Sequence, residues 1–358
     1  MENDNSQLDT YISDVKKNGY ARVVVDSREL YLVLPKWREG SAPAPFDKAG
    51  HLLEQPLRRS AYSDRTAWLM ATLSELAYLP FEKDQSKKEN LILTLNDAEL
   101  VLREIFDNEE TGTQAFLVQR PGEFCALVFR GTEKNRKDIL TDLNARFYKT
   151  ASGHAHKGFA MAYESVQKHI NDALEEVESQ GGLKQLFIAG HSLGGALATY
   201  AASQLDERFT VAACYTFGSP RVGTAEWSDA VKSPVYRVVN GADGVPLVPG
   251  SNFLRWVMKL IPQLPYLGWL EEPINKLIKR GFVGYQHAGD LRFIKGDMDN
   301  AVLKIGSSAS WARIKYLVVG KIIGAIKALK PGALSATFSD HSISHYAEKL
   351  KHIAEIRN

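Results

Sequence analysis

QLFIAGHSLGG, residues 185–195, decides how this chain is read. A short apolar run, Gln185 to Ala189, reaches Gly190-His191-Ser192-Leu193-Gly194-Gly195, and helix formers follow at once from Ala196 to Leu205. Strand, tight turn, helix is the setting in which G-x-S-x-G holds a nucleophilic serine. Gly190 and Gly194, flanking His191 and Ser192, let strand and helix approach closely, and the strained turn lifts the Ser192 hydroxyl out of the sheet. Amides at the helix start, Leu193 first, then lie beside the reacting atom. The bare motif occurs by chance; the strand before it and the alanine-rich helix after it argue against chance here.

Working outward, 211–217 and 235–239 read as strands with a helix at 224–232 between them, and 158–180 reads as a long helix. Upstream, strands are expected at about 99–106, 115–120 and 124–130, a helix capped by Asp64 over 64–79, and a hairpin within 21–34 around Asp26-Ser27. Lys83 to Asn90 reads as a charged loop. Strands alternating with helices imply an α/β fold, with a mostly parallel sheet covered by helices on both faces.

The chain has 358 residues, enough for a large core, and a net charge of +2 that gives no reason to expect nucleic acid. Cys125 and Cys214 lie in strand candidates and read as buried thiols. The polar start MENDNSQLDTYISDVKK has no secretory pattern, and no run is long enough for an ordinary spanning helix, so a cytoplasmic protein or one exported without a classical signal is expected. The cluster GDMDN at 296–300 fits no calcium loop well and reads as a solvated turn, so no metal site is expected.

A serine hydroxyl needs a base, and the base needs an orienting acid. In sheets of this kind the chain order is serine, acid, histidine, each on a loop at the carboxyl edge. Asp243 suits the acid, just past the strand VYRVVN at 235–240, whereas Asp229 lies in a helix and Asp206 ends one. His341, at a loop-to-helix junction, is the first candidate for the base; His287 and His345 stay open as alternatives. The tetrahedral oxyanion needs two N–H donors. Leu193 offers one, and the turn Arg130-Gly131-Thr132 at another strand end offers the amide of Thr132.

FRGT (129–132), HKGF (156–159), GHSLGGALA (190–198), YTFGSPRVG (215–223), RVVNGADGVPLVP (237–249) and DHSISHY (340–346) resemble, in order, the blocks of the class 3 lipases, the fungal-lipase-like branch of the α/β-hydrolases. The resemblance spans about residues 65–350 and implies Ser192 as nucleophile, Asp243 as acid, His341 as base, and the Thr132 and Leu193 amides as oxyanion donors. It implies cofactor-free hydrolysis of carboxylic esters, as a triacylglycerol lipase or carboxylesterase acting on glycerolipids. A phospholipase A-type enzyme, a small-ester (feruloyl-type) esterase and a non-catalytic lipase-like binding module are the alternatives. The family's apolar lid position here reads EKNRKDILTDL (133–143), charged and without Trp.

Residues 1–60 are expected as an N-terminal extension packed on the core. Residues 61–358 are expected as one hydrolase domain with cap insertions at about 251–285 and 301–335. The two insertions are apolar and together carry a net +9. Trp256, Leu260, Leu264, Trp269 and Trp311 are the candidates to line an acyl pocket or cap. Their neighbouring cations suit peripheral contact with a membrane or lipid interface as well as solvated cap helices.

Overall fold

The computed structural model describes residues 60–131, 146–251, 283–315 and 340–357, the strands Ala21–Val25 and Arg28–Leu32, and residues 45–46, 49–53, 271–272 and 275. The strands β1 (Ala21–Val25) and β2 (Arg28–Leu32) pair antiparallel, as the hairpin reading expects. Phe46, Leu52 and Leu53 are buried in the main core, where Phe46 meets Trp68 edge-on.

Helix α1 (Asp64–Leu76) starts at Ser63, whose hydroxyl accepts the Thr66 N–H; Asp64 is the first helical residue rather than the cap. The charged stretch expected as a loop is instead the start of helix α2 (Gln85–Asn96). Asp84 caps it by accepting from the Ser86 and Lys87 amides, and burial of Leu91 and Leu95 outweighs the polar opening turn.

Then follow β3 (Val101–Asn108), β4 (Thr113–Arg120), β5 (Phe124–Phe129), β6 (Phe147–Thr150), β7 (Gly153–His156) and helix α3 (Lys157–Ser179). After them come β8 (Leu186–His191), α4 (Leu193–Leu205), β9 (Val211–Phe217), α5 (Ala225–Asp229) and β10 (Val235–Asn240). Short strands β11 (Gly250–Ser251) and β12 (Val283–Tyr285), then β13 (Asp290–Lys295), β14 (Val302–Ile305) and α6 (Ile343–Ile356) complete the order.

The central sheet has eight strands in the order β14-β13-β10-β9-β8-β5-β4-β3. Strands β13, β10, β9, β8 and β5 run parallel, and the outer pairings β13–β14, β5–β4 and β4–β3 are antiparallel. The small β6–β7 hairpin was not visible in the sequence; its first strand alternates exposed and half-buried positions, so it has no apolar run. Residues 302–305, inside the segment expected as a cap insertion, form the outermost strand of this sheet. Residues 306–315 continue as helix.

The period of two along each strand explains the two cores. In β5, Phe124, Ala126 and Val128 face one side, while Cys125, Leu127 and Phe129 face the other. Helices α1 and α6 cover the first side, α3 and α4 the second. On α6 the stripe Ile343, Tyr346, Ala347, Leu350, Ile353, Ala354 is buried, each large apolar side chain contributing about 1.5–3 kcal/mol. Both cysteines are buried and free, and burial pushes the Cys125 thiol up to about 12. Among the described residues no helix is long and apolar enough to cross a membrane.

Candidate functional site

Parallel strands deliver their carboxyl ends to one edge of the sheet, and loops leaving that edge converge there. Strand β8 ends at His191 and α4 begins at Leu193, so Ser192 is the whole connection. Its backbone stands at φ 57°, ψ −126°, a strained conformation for a residue with a side chain. A methyl on Gly190 would overlap the Gly194 carbonyl, and one on Gly194 would overlap that of Phe129, which is why strand and helix can meet so closely. The Leu193 amide is the first of α4, where an N–H has no intrahelical acceptor.

Three side chains from distant parts of the chain meet at this edge. His341 Nε2 lies 3.0 Å from Ser192 Oγ, and His341 Nδ1 lies 2.8 Å from Asp243 Oδ2. All three are almost fully buried, at 1% exposure for Ser192, 3% for His341 and 0% for Asp243. A carboxylate accepts only, so Nδ1 carries the ring proton, Nε2 accepts, and the Ser192 hydroxyl donates to it. The other carboxylate oxygen, Oδ1, accepts the Val245 amide at 3.0 Å.

The loop bearing Asp243 is laced to the segment bearing His341. The Ala242 amide donates to Asp340 Oδ2 at 2.7 Å and Asn240 Nδ2 to the Asp340 carbonyl at 2.9 Å. Lys349 Nζ closes the lacing on Asn240 Oδ1 at 2.8 Å and on the Gly296 carbonyl at 2.7 Å. Gly218, at φ +58°, is needed here for two reasons: its backbone is left-handed, and a methyl would sit 2.5 Å from Asp243 Oδ2 and 2.9 Å from His341 Nδ1.

The alternative residues lie elsewhere. His287 Nε2 donates to the Pro246 carbonyl at 2.8 Å, and burial together with Arg237 and Arg221 holds its pKa well below the ordinary imidazole value. His345 is half-buried on α6, Asp229 ends α5, and Asp206 caps α4. His156 caps α3 by accepting the Gly158 amide at 3.1 Å and stacks on Phe159 at 4.2 Å. Trp311 is 72% exposed on the helical stretch 306–315. Thr132, the lid position 133–143, and Trp256, Leu260, Leu264 and Trp269 lie outside the described residues.

Two contributors carried no role in the sequence reading. Tyr346 donates its hydroxyl to Asp243 Oδ2 at 2.6 Å and accepts the Asn240 amide at 3.0 Å. Tyr78 reaches His191 Nδ1 at 2.7 Å. Tyr346 sits five residues after His341, inside the DHSISHY block, a spacing that could have drawn attention to it.

A doubly covered parallel sheet with a strand–serine–helix elbow at its carboxyl edge defines an α/β-hydrolase fold. Residues 126–253, about a third of the chain, match the family described as lipase (class 3). The segment contains Ser192 and Asp243 and ends before His341. A secreted mono- and diacylglycerol lipase of Fusarium solani is 38% identical over 101 residues, 27% of this chain and 30% of that protein. A lipase of Rhizopus niveus is 36% identical over 138 residues, 36% of this chain and 35% of that protein. The matched region thus spans about a third of these relatives' length. The fold is similar to that of the Rhizomucor miehei lipase propeptide complex, with a TM-score of 0.52 at 23% identity over 70% of this chain and 72% of that one.

Proposed function

We propose that this protein is a serine carboxylic-ester hydrolase that cleaves acyl esters of glycerolipids. One observation carries the reading: an unbroken line runs from the Ser192 hydroxyl through His341 to Asp243, at 3.0 and 2.8 Å, with the serine held at a positive φ. The Fusarium solani relative, a mono- and diacylglycerol lipase by name, supports the glycerolipid class.

In this reading Ser192 Oγ attacks the ester carbonyl while His341 Nε2 takes its proton. Asp243 holds the imidazole in the reactive tautomer and stabilises the imidazolium. The Leu193 amide, with that of Thr132, receives the oxyanion. His341 returns the proton to the departing alcohol oxygen, leaving the acyl group on Ser192. Water, deprotonated by the same imidazole, then releases the fatty acid and restores the serine. Trp311 and Ile314, exposed beside Lys315, suit contact with a lipid surface.

A fluorophosphonate probe should label the wild-type chain and not Ser192→Ala. A p-nitrophenyl ester series from acetate to palmitate, beside mono-, di- and triacylglycerols and a phosphatidylcholine, should then favour the acylglycerols. Labelling that persists in Ser192→Ala would move the nucleophile elsewhere. Preference for the phospholipid or for acetate would replace the substrate class.

A further inference from the structure

Tyr78, His191 and His341 form a second hydrogen-bonded line that the proposed reaction does not use. The His341 carbonyl oxygen accepts only, so its 2.7 Å contact with His191 Nε2 puts the proton on that nitrogen. Nδ1 of the neutral ring is then an acceptor, and the Tyr78 hydroxyl donates to it across 2.7 Å. His191 is 5% exposed, and its ring centroid lies 4.5 Å from that of His341. The Tyr78 hydroxyl fills the space that a side chain on Gly131 would take, so the line also backs the turn after β5.

We infer that His191 is a positioning residue for the base, with Tyr78 fixing its tautomer; the inference rests on the proposed roles of Ser192 and His341. Serine and tether share one rigid strand end, since His191 and Ser192 are consecutive. The His191 side chain grips the His341 backbone, and the His341 side chain returns to Ser192 Oγ, closing a cycle that sets the Oγ–Nε2 distance. Without the tether, the imidazole keeps its bond to Asp243 and the lacing of its segment through Asp340, but loses its direct backbone tie to the elbow. A misplacement of about 1 Å in such a group costs on the order of 10²-fold in rate.

Full-length His191→Leu should lower kcat on p-nitrophenyl butyrate by about 10²-fold, leave KM within about threefold, and slow fluorophosphonate labelling of Ser192 in parallel. His191→Gln keeps an amide N–H for the carbonyl and an acceptor for Tyr78, and should recover to within about tenfold of wild type. Tyr78→Phe should lose several-fold. A wild-type kcat in His191→Leu would overturn the assignment. So would a Gln variant as slow as the Leu variant at equal thermal stability, because that marks mere packing. If His191→Leu does not fold, an unchanged kcat in Tyr78→Phe would overturn it. A wild-type chain inert to probe and esters would instead remove the hydrolase reading on which it rests.

Discussion

Tyr346 and His341 donate to the same oxygen of Asp243, at 2.6 and 2.8 Å, although they belong to one short segment and the aspartate to another. The tyrosine hydroxyl also accepts the Asn240 amide at 3.0 Å, so one atom ties the acid and the end of its strand to α6. Burial, reinforced by the adjacent carboxylate, pushes the Tyr346 pKa well above the ordinary phenol value and keeps the hydroxyl a donor. In Tyr346→Phe the buried Asn240 amide loses its acceptor, which costs about 1–3 kcal/mol. The expected outcome is a lower urea midpoint together with an approximately tenfold loss of kcat, read by equilibrium unfolding and steady-state kinetics.

Asp243→Asn preserves the shape of the acid but presents an amide to His341. On the role proposed for Asp243, the imidazole then takes the wrong tautomer, and a loss of about 10⁴-fold in kcat is expected. Circular dichroism should remain that of the folded chain. Retention of more than a tenth of wild-type turnover would show that Asp243 does not orient the base.

Gly218→Ala tests the contact between the loop after β9 and the acid–base pair. The added methyl meets Asp243 Oδ2 at 2.5 Å and His341 Nδ1 at 2.9 Å, on a backbone at φ +58°. Strain of this kind costs about 1–3 kcal/mol, and the pair must shift. Activity should fall by about 10²-fold, more than stability alone explains, when kcat is measured well below the melting temperature.

Arg130 leads into the turn proposed to bear the oxyanion donor, and its guanidinium is paired with Glu82 at 2.5 Å, with side chains only 5% and 4% exposed. Burial opposes ionisation of Glu82, but the hydrogen bonds from Arg130 outweigh it and hold the carboxyl below its ordinary value. Stability from this pair is therefore present above the unfolded carboxylate pKa of about 4 and lost as pH falls through the lower folded value. Glu82→Gln removes the charge that Arg130 meets on Glu82 and should lower stability at neutral pH. Urea titrations at pH 7 and pH 3 should show the difference from wild type shrinking at the lower pH.

His156 supplies a second pH window. Burial holds its pKa down to about 4 in the folded chain, against roughly 6.5 when unfolded. Between those values the unfolded chain binds a proton that the folded chain does not, so stability falls as pH drops from about 6.5 to 4. His156→Asn keeps an acceptor for the Gly158 amide at the start of α3 but cannot titrate. Its unfolding midpoint should be flatter across that window than the wild-type midpoint, whatever its value at pH 7.

Much of the sheet was legible because its strands are short apolar runs between clear breaks; 211–217 was read with the bounds of β9. Helix α2 was missed because its opening turn is charged and its apolar face emerges only at Leu91. Strand β14 was missed because an edge strand with three exposed positions out of four carries little alternation. Pairing partners at the sheet edge are set by neighbours far along the chain, which no local pattern reports.

The sequence by itself determined the elbow, because the residues that strain it are consecutive: a serine between small neighbours, after a strand and before a helix. It also narrowed the acid and base candidates to loops at strand ends. Only the tertiary structure decided which histidine reaches Ser192, that Tyr346 shares Asp243 with it, and that His191 holds its backbone. Those relations join positions about 100 to 150 residues apart. Hydrogen bonds of this kind act over about 3 Å, so they exist only after the sheet has brought its carboxyl edge together.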